Sequence, residues 1–197
     1  SIKRNVHLVT GGRFHDTGFA RLELLKLLAE LPCASVSVGQ DFSSIDQILS
    51  ADLLISYTCD VRPTFAQQVV LKAFLERGGR WFALHGTNSL LDFDSTDGPI
   101  DAFGVTIPGV PFAPDLAPEF MSLLGTRFVP HPPIQPFPVT VAEPEHPIVA
   151  GIEDFTAIDE PYCCEVFGPI QVLLESRYSS ENMTDLPREW DVPDRVQ

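Results

Sequence analysis

The sequence predicts a single three-layer α/β domain, with helices on both sides of a mostly parallel central sheet. Short apolar runs alternate with longer helical patterns through the first half of the chain, which is typical of βαβ units. The length of 197 residues, 44% of them hydrophobic, suits one compact domain spanning residues 1–197. Polar motifs directly follow the predicted strands. Together these observations indicate a flavodoxin-like arrangement, in which ligands bind where the strand order reverses.

The chain opens on a strand, a helix and a second strand. Residues 5–10 are mostly β-branched or apolar and form the first predicted strand. Residues 17–31 follow as a helix, because their leucines recur at helical spacing, and Pro32 ends it. Residues 34–38 are the second predicted strand, so the first unit is βαβ.

The next part of the chain is predicted to form a third strand, a second helix and a fourth strand. Residues 51–57 contain an apolar run that suits a strand covered on both faces. Residues 64–77 form the next predicted helix, because Pro63 fits a helix start and Gly78 a helix end. Residues 80–84 are the fourth predicted strand.

The second half has a different texture. Residues 99–147 hold 12 of the 18 prolines and are predicted to be mostly extended loop, interrupted by a helix at residues 118–124. Short strands at residues 139–141 and 171–174 are expected to add to the sheet. Residues 179–197 are polar and aperiodic, so a loosely ordered tail is expected.

Charge and composition exclude several classes of partner. The formal net charge is −14, with 27 acidic against 13 scattered basic residues, so nucleic acid is not an expected partner. No apolar run is long enough to span a bilayer, and no membrane partner is expected. The four cysteines form no C-x-x-C pair, and the expectation is reduced thiols in a cytoplasmic protein.

The loop after the first strand carries the first candidate site. Gly11 and Gly12 permit a tight turn and a close approach to a ligand, although their spacing matches no phosphate loop. His15 and Asp16 are candidate catalytic residues just before the helix. The alternative is that Asp16 or Thr17 caps that helix while His15 is merely exposed.

Loops after the third and fourth strands add further candidates. Tyr57 and Asp60 follow the third strand, and Asp60 could bind a metal, a sugar hydroxyl or backbone donors in its turn. His85 stands at a sharp strand-to-helix turn, where some hydrolases place a nucleophile, and Asn88 follows it. An imidazole there can transfer a proton, ligate a metal or bind a ligand, and we predict that it lines the site.

Two more candidates lie in the second half of the chain. His131 and Glu160 are predicted to close the substrate site, although the rigid proline frame around His131 suits a plain turn equally well. His15, His85 and His131 are candidate ligands for a divalent metal such as zinc, although no ligand-spacing motif supports one. His7 lies within the first strand and is predicted to be a hydrogen-bonded core residue.

The order of these motifs resembles the ThuA-like (trehalose utilisation) family. The motifs are Val9-Thr10-Gly11-Gly12 with His15-Asp16, Gly78-Gly79 before Leu84-His85-Gly86, Leu124-Gly125-Thr126-Arg127-Phe128 with His131-Pro132, His146-Pro147-Ile148 through Gly151, and Asp159-Glu160-Pro161-Tyr162. The resemblance implies a fold similar to class I glutamine amidotransferases and a role in carbohydrate metabolism.

Two departures from that resemblance matter. The amidotransferase relatives carry Cys at the turn where this chain has His85, so glutamine hydrolysis is not expected. Family members also continue to a glycine-rich strand pair that this sequence does not contain, so either the chain is incomplete or its sheet is smaller.

Two functional hypotheses remain open. The first is an enzyme acting on a sugar or glycoside, with His85 as acid/base, His15, Asp16 and Asp60 orienting substrate or metal, and the remaining candidates lining the pocket. The second is a sugar-binding or interaction domain that has lost chemistry. A homo-oligomer is also considered, because Phe112 and Phe120 could mark an interface, although core packing explains them equally well.

Overall fold

The computed structural model describes residues 3–93, 103–105, 111–178 and 195–196. The chain divides into two compact units. Unit 1 comprises residues 1–90 and 115–124, and unit 2 comprises residues 91–114 and 125–197.

Unit 1 is built on a four-stranded parallel sheet. Its strands are β1 (Arg4–Gly12), β2 (Ala34–Gly39), β3 (Leu53–Cys59) and β4 (Arg80–Leu84). They lie in the order β2-β1-β3-β4, and every neighbouring pair is parallel. The strand order reverses between β1 and β3, as the flavodoxin-like prediction requires. The α/β class and the parallel sheet are confirmed.

Helices flank this sheet. They are α1 (Thr17–Ala29), α2 (Ile45–Ser50), α3 (Phe65–Glu76) and α4 (Pro118–Leu124). On one face, Leu28 of α1 packs against Val6, Leu8 and Ile55, which alternate with residues facing the other way. The sequence analysis missed the short helix α2.

The opposite face of the sheet holds an aromatic core. The rings of Phe42, Trp81 and Phe120 lie within 5.9 Å of one another, and the Trp81 indole donates to Ser56 on that same face. Phe120 is fully buried. The interface interpretation of Phe120 was therefore wrong, and the core alternative is correct.

Unit 2 is antiparallel. It contains β5 (Thr126–Phe128), β6 (Gln135–Val141), β7 (Phe155–Asp159), β8 (Cys164–Val166), β9 (Leu174–Glu175), β10 (Arg177–Tyr178) and β11 (Arg195–Val196). Strand β5 pairs with β8, β10 pairs with β11, and a three-stranded sheet has the order β7-β6-β9. The two strands predicted for this half therefore do not add to the parallel sheet, which corrects that prediction.

Strand β6 also corrects the loop prediction, because it begins at Gln135 and contains Pro136 and Pro138. Among the described strands, residues 135–139 of β6 pair with β7 on one side alone. A proline, which has no N–H to donate, can therefore be accommodated with its nitrogen on the unpaired side. Of the predicted tail, only residues 195–196 are among those described.

None of the four cysteines, all of which lie within the described ranges, forms a disulfide bond. Within the described ranges, no helix is both long and apolar enough to cross a membrane.

Candidate functional site

The candidate site of unit 1 lies at the carboxyl ends of β1, β3 and β4. Gly12, the last residue of β1, has a φ of 103°, which favours glycine. A Cβ atom on Gly11 would lie 2.1 Å from the Gln40 carbonyl oxygen, so only glycine allows this close passage. The Arg13 amide then donates to the Cys59 carbonyl at 3.0 Å. The glycines thus bring the loop after β1 against the end of β3.

Non-glycine residues with a left-handed backbone conformation are concentrated at this edge. Among the described residues, the non-glycine positions with positive φ are Phe14 (69°), Asp60 (58°) and His85 (47°). They follow β1, β3 and β4 respectively. Such conformations are unfavourable for residues with a Cβ atom and persist where the surrounding structure enforces them, often at functional sites.

His85 stands at the predicted sharp turn. Strand β4 ends at Leu84, and His85 opens a single 3-10 turn that ends at Asn88. The buried Thr87 hydroxyl lies 2.9 Å from the Leu84 carbonyl oxygen and 3.1 Å from the Ser56 hydroxyl. These contacts fix the backbone on both sides of His85.

Three half-buried rings meet beside this turn, and we call His15, Tyr57 and His85 the three-ring cluster. The ring centroids of His15 and His85 are 4.5 Å apart. Tyr57 stacks on His85 at 5.9 Å with an interplanar angle of 20°, and it meets the His15 edge at 6.0 Å. The structure thus brings together three side chains predicted from distant parts of the sequence.

The two imidazoles of this cluster are suited to shared chemistry. A ligand nitrogen of His15 and one of His85 lie within 4.8 Å of each other. Imidazoles at this separation can pass a proton to a common substrate, or supply two ligands to one divalent ion. Two of the three predicted metal ligands are therefore neighbours within unit 1.

Asp60 has a partner that the sequence analysis missed. Its carboxylate oxygen lies 3.6 Å from the Arg13 guanidinium Nε, and its side chain is only 15% exposed. The Asp60 amide donates to the Ser89 carbonyl at 2.9 Å. Asp60 is therefore held in an ion pair at the end of β3.

Asp16 caps a helix. Its Oδ1 accepts a hydrogen bond from the Phe19 amide at 2.8 Å at the start of α1. This matches the capping interpretation, while the catalytic role of Asp16 stays a prediction.

Unit 2 holds its own cluster around His131. The His131 Nδ1 lies 2.8 Å from the Pro132 carbonyl oxygen, which can only accept, so Nδ1 carries a proton. The opposite nitrogen, Nε2, lies 3.9 Å from a Glu160 carboxylate oxygen. Tyr162 stacks on the His131 ring at 6.2 Å and packs against Phe128 at 4.3 Å. His131 and Glu160 were predicted from sequence to close one site, whereas Tyr162 was not predicted as a site residue.

His7 is not part of either cluster. It is buried on β1, and its Nδ1 lies 2.8 Å from the Ser37 hydroxyl on β2. Burial lowers the pKa of His7, so the ring is neutral at neutral pH. The predicted core position and a hydrogen bond are confirmed, whereas the His7 Nε2 has no hydrogen-bond partner among the described residues.

A polar cavity of about 600 Å³ opens at the reversal point of the strand order in unit 1. It is lined by Thr10, Gly11, Gly12, Thr17, Arg21, Gln40, Asp41, Phe42, Asp60, Val61, Arg62, Thr64 and Gln67. Only three of these residues were site candidates from sequence. The two arginines were missed because their charges are scattered along the chain and match no motif.

Two solved structures share this fold. A protein from Bacteroides uniformis named as ThuA-like superimposes with a TM-score of 0.64 and 19% identity, covering 89% of this chain and 69% of its own. Another from Parabacteroides merdae, also named as ThuA-like, gives a TM-score of 0.57 and 14% identity, covering 91% and 70%. No family model and no curated protein matches the sequence. At these identities the likeness shows a shared fold.

Proposed function

We propose that this chain is a ThuA-like protein of carbohydrate metabolism that acts on a disaccharide or glycoside at the carboxyl edge of its parallel sheet. The observation that carries the proposal is the three-ring cluster, in which two histidines from different loops meet beside a strained turn. His85 is the acid/base, and His15 assists it or shares a bound ion. A proton donor and acceptor at neutral pH is what cleavage or transfer at a glycosidic oxygen requires.

Three further residues are assigned to substrate binding. Tyr57 offers an aromatic face, on which the apolar face of a sugar ring can stack. Asp60 directly follows β3, Asn88 ends the turn that His85 opens, and both supply polar groups for hydroxyl recognition. We infer no glutaminase activity, because the turn carries imidazole, and Cys59 lies buried at the end of β3.

The first prediction tests His85. Purified protein is incubated with trehalose, related disaccharides and aryl glycosides, with and without zinc, and products are followed by chromatography and mass spectrometry. Because a positioned acid/base contributes about 10²- to 10⁴-fold, His85→Ala should reduce turnover by that factor while sugar affinity changes much less. His146→Ala is the control, since the His146 side chain accepts from the Ile148 amide and caps the 3-10 turn at Pro147–Val149, outside unit 1.

Unchanged turnover in His85→Ala would refute the catalytic assignment. A second candidate function is sugar binding without chemistry, favoured by the engagement of Asp16 in helix capping and of Asp60 with Arg13. Saturable calorimetric binding of a sugar with no product under any condition would support that candidate instead.

A further inference from the structure

We propose that the polar cavity of unit 1 binds an oxyanion, the phosphate or carboxylate group of a small molecule, through the guanidinium groups of Arg21 and Arg62. We call this space the arginine cavity. The inference goes beyond the proposed function, because neither arginine takes part in the chemistry assigned to the three-ring cluster. The cavity volume of about 600 Å³ is sufficient for a small metabolite.

Arg21 is held in position by the end of β1. Its Nε donates to the Thr10 hydroxyl at 2.7 Å, and its Nη2 donates to the Thr10 carbonyl at 3.0 Å. A guanidinium has five N–H groups, so three remain after these two hydrogen bonds. Because the side chain is half-buried and already oriented, little conformational entropy remains to be lost when those donors meet a ligand.

Arg62 approaches the same cavity from the loop after β3. Its Nη2 donates to the Leu116 carbonyl just before α4, which anchors one end of the guanidinium. The residue is otherwise exposed, so its remaining donors can reach a ligand.

Arg21 and Arg62 share a place on one cavity and have no ion pair among the described residues. Arg77 and Arg80 of unit 1 also lack an ion pair there, but they do not line this cavity. The chain has 27 acidic and 13 basic residues, so carboxylate partners are abundant. Elsewhere in unit 1, Arg4 pairs with Asp52, Lys26 with Glu23 and Lys72 with Glu76. Within the described part of the chain, neither Arg21 nor Arg62 has a carboxylate within ion-pair distance. Two such cations lining one cavity favour an anionic ligand.

Two carboxylates also line the arginine cavity and must be set against these cations. Asp60 is balanced by Arg13 at 3.6 Å. Asp41 accepts the Ser43 amide at 2.9 Å, and hydrogen bonding from Ser43 lowers its pKa, so it stays ionised. Two guanidinium groups against one uncompensated carboxylate leave an excess of one positive charge.

The start of α3 contributes less than its position suggests. Thr64 accepts from the Gln67 amide, and the Gln67 side chain accepts from the Thr64 amide, which forms a capping box. These two amide donors are therefore already occupied. The guanidinium groups, rather than the helix end, carry the proposed site.

The test is calorimetric titration of the whole chain at low ionic strength with inorganic phosphate and, separately, with succinate. We expect saturable binding of at least one probe, and the preferred probe distinguishes a phosphate from a carboxylate source. Because a hydrogen bond to a charged group is worth about tenfold or more in affinity, Arg21→Gln and Arg62→Gln should each weaken binding by at least that factor. Arg80→Gln, the same change at the amino end of β4, should leave affinity unchanged.

Several results would overturn the proposal. They are no saturable binding of either probe, full affinity in Arg62→Gln, or an equal loss in Arg80→Gln. Arg21→Lys guards against misfolding, because it keeps the charge but loses the forked geometry, and it should bind more weakly than the parent chain. Normal phosphate affinity in His85→Ala together with lost sugar turnover would separate this site from the proposed chemistry.

Discussion

Phe14, Asp60 and His85 share one property at the scale of single residues, because each holds a left-handed backbone. For a residue with a Cβ atom this conformation is unfavourable by about 1–2 kcal/mol. Elsewhere in the described residues the conformation occurs at glycine. The strain therefore coincides with the loops that carry the candidate site.

Phe14 offers a direct measurement of this strain, because its side chain is 62% exposed and removing it opens no cavity. Phe14→Gly should raise the free energy of unfolding relative to Phe14→Ala by about 1 kcal/mol, since alanine keeps the Cβ atom and glycine does not. Urea denaturation of both variants measures the difference. Equal stability of the two would show that this backbone is not strained.

Individual roles were predictable from sequence only where local chemistry decides them. Capping by Asp16 and burial of His7 follow from their immediate neighbours, and both are found. The Arg13 ion pair with Asp60 joins residues 47 positions apart. It depends on the path of two loops, which no local pattern contains.

At the scale of secondary-structure elements, the turn that begins at His85 packs closely against strand β3. A Cβ atom on Gly86 would lie 2.8 Å from both the Cys59 Cβ and the Thr58 carbonyl oxygen. Gly86→Ala should therefore force the turn away from β3 and lower the free energy of unfolding by about 1–3 kcal/mol. Thermal and urea denaturation provide the measurement.

Gly18→Ala is the matched control for that substitution. A Cβ atom at Gly18, in the first turn of α1, would meet only the Asp16 carboxylate at 3.4 Å. Alanine is the better helix former, so stability should rise by up to about 1 kcal/mol. A loss at Gly18 equal to that at Gly86 would contradict the packing argument.

Most elements of unit 1 were predictable because their apolar patterns are clear and glycine or proline marks several of their ends, whereas the six-residue helix α2 was not predicted. Strand β4 matches its prediction at both ends, whereas β3 begins and ends two residues later than expected. In unit 2 the strands are two to seven residues long, and β6 contains two prolines. Such strands depend on pairing with distant segments, so their sequence indicates loop more than strand.

At the scale of the whole molecule, the buried His7 ring makes the free energy of unfolding depend on pH. The His7 Nε2 has no hydrogen-bond partner among the described residues, and burial lowers the pKa of the ring below its ordinary value of 6.5. Below pH 6.5 the unfolded chain therefore takes up a proton that the folded chain does not. The free energy of unfolding should fall by up to about 1.4 kcal/mol per pH unit from pH 6.5 down to the folded-state pKa.

Urea denaturation at pH 7.5, 6.5 and 5.5 tests this coupling. His7→Gln should remove most of the slope, because glutamine does not titrate, whereas His146→Ala should retain it. A slope unaffected by His7→Gln would assign the acid response to other groups of this chain, whose net charge is −14.

The unfavourable backbone dihedrals at positions 14, 60 and 85 limit how a thermally more stable variant can be engineered. Substitutions that raise thermal stability are easiest to find where the native backbone is strained, and here those positions lie in the loops of the candidate site. Selection for heat resistance alone would therefore favour glycine at positions 14, 60 and 85 and would remove side chains of the candidate site. Exposed helix positions such as Gly18 are the safer starting point.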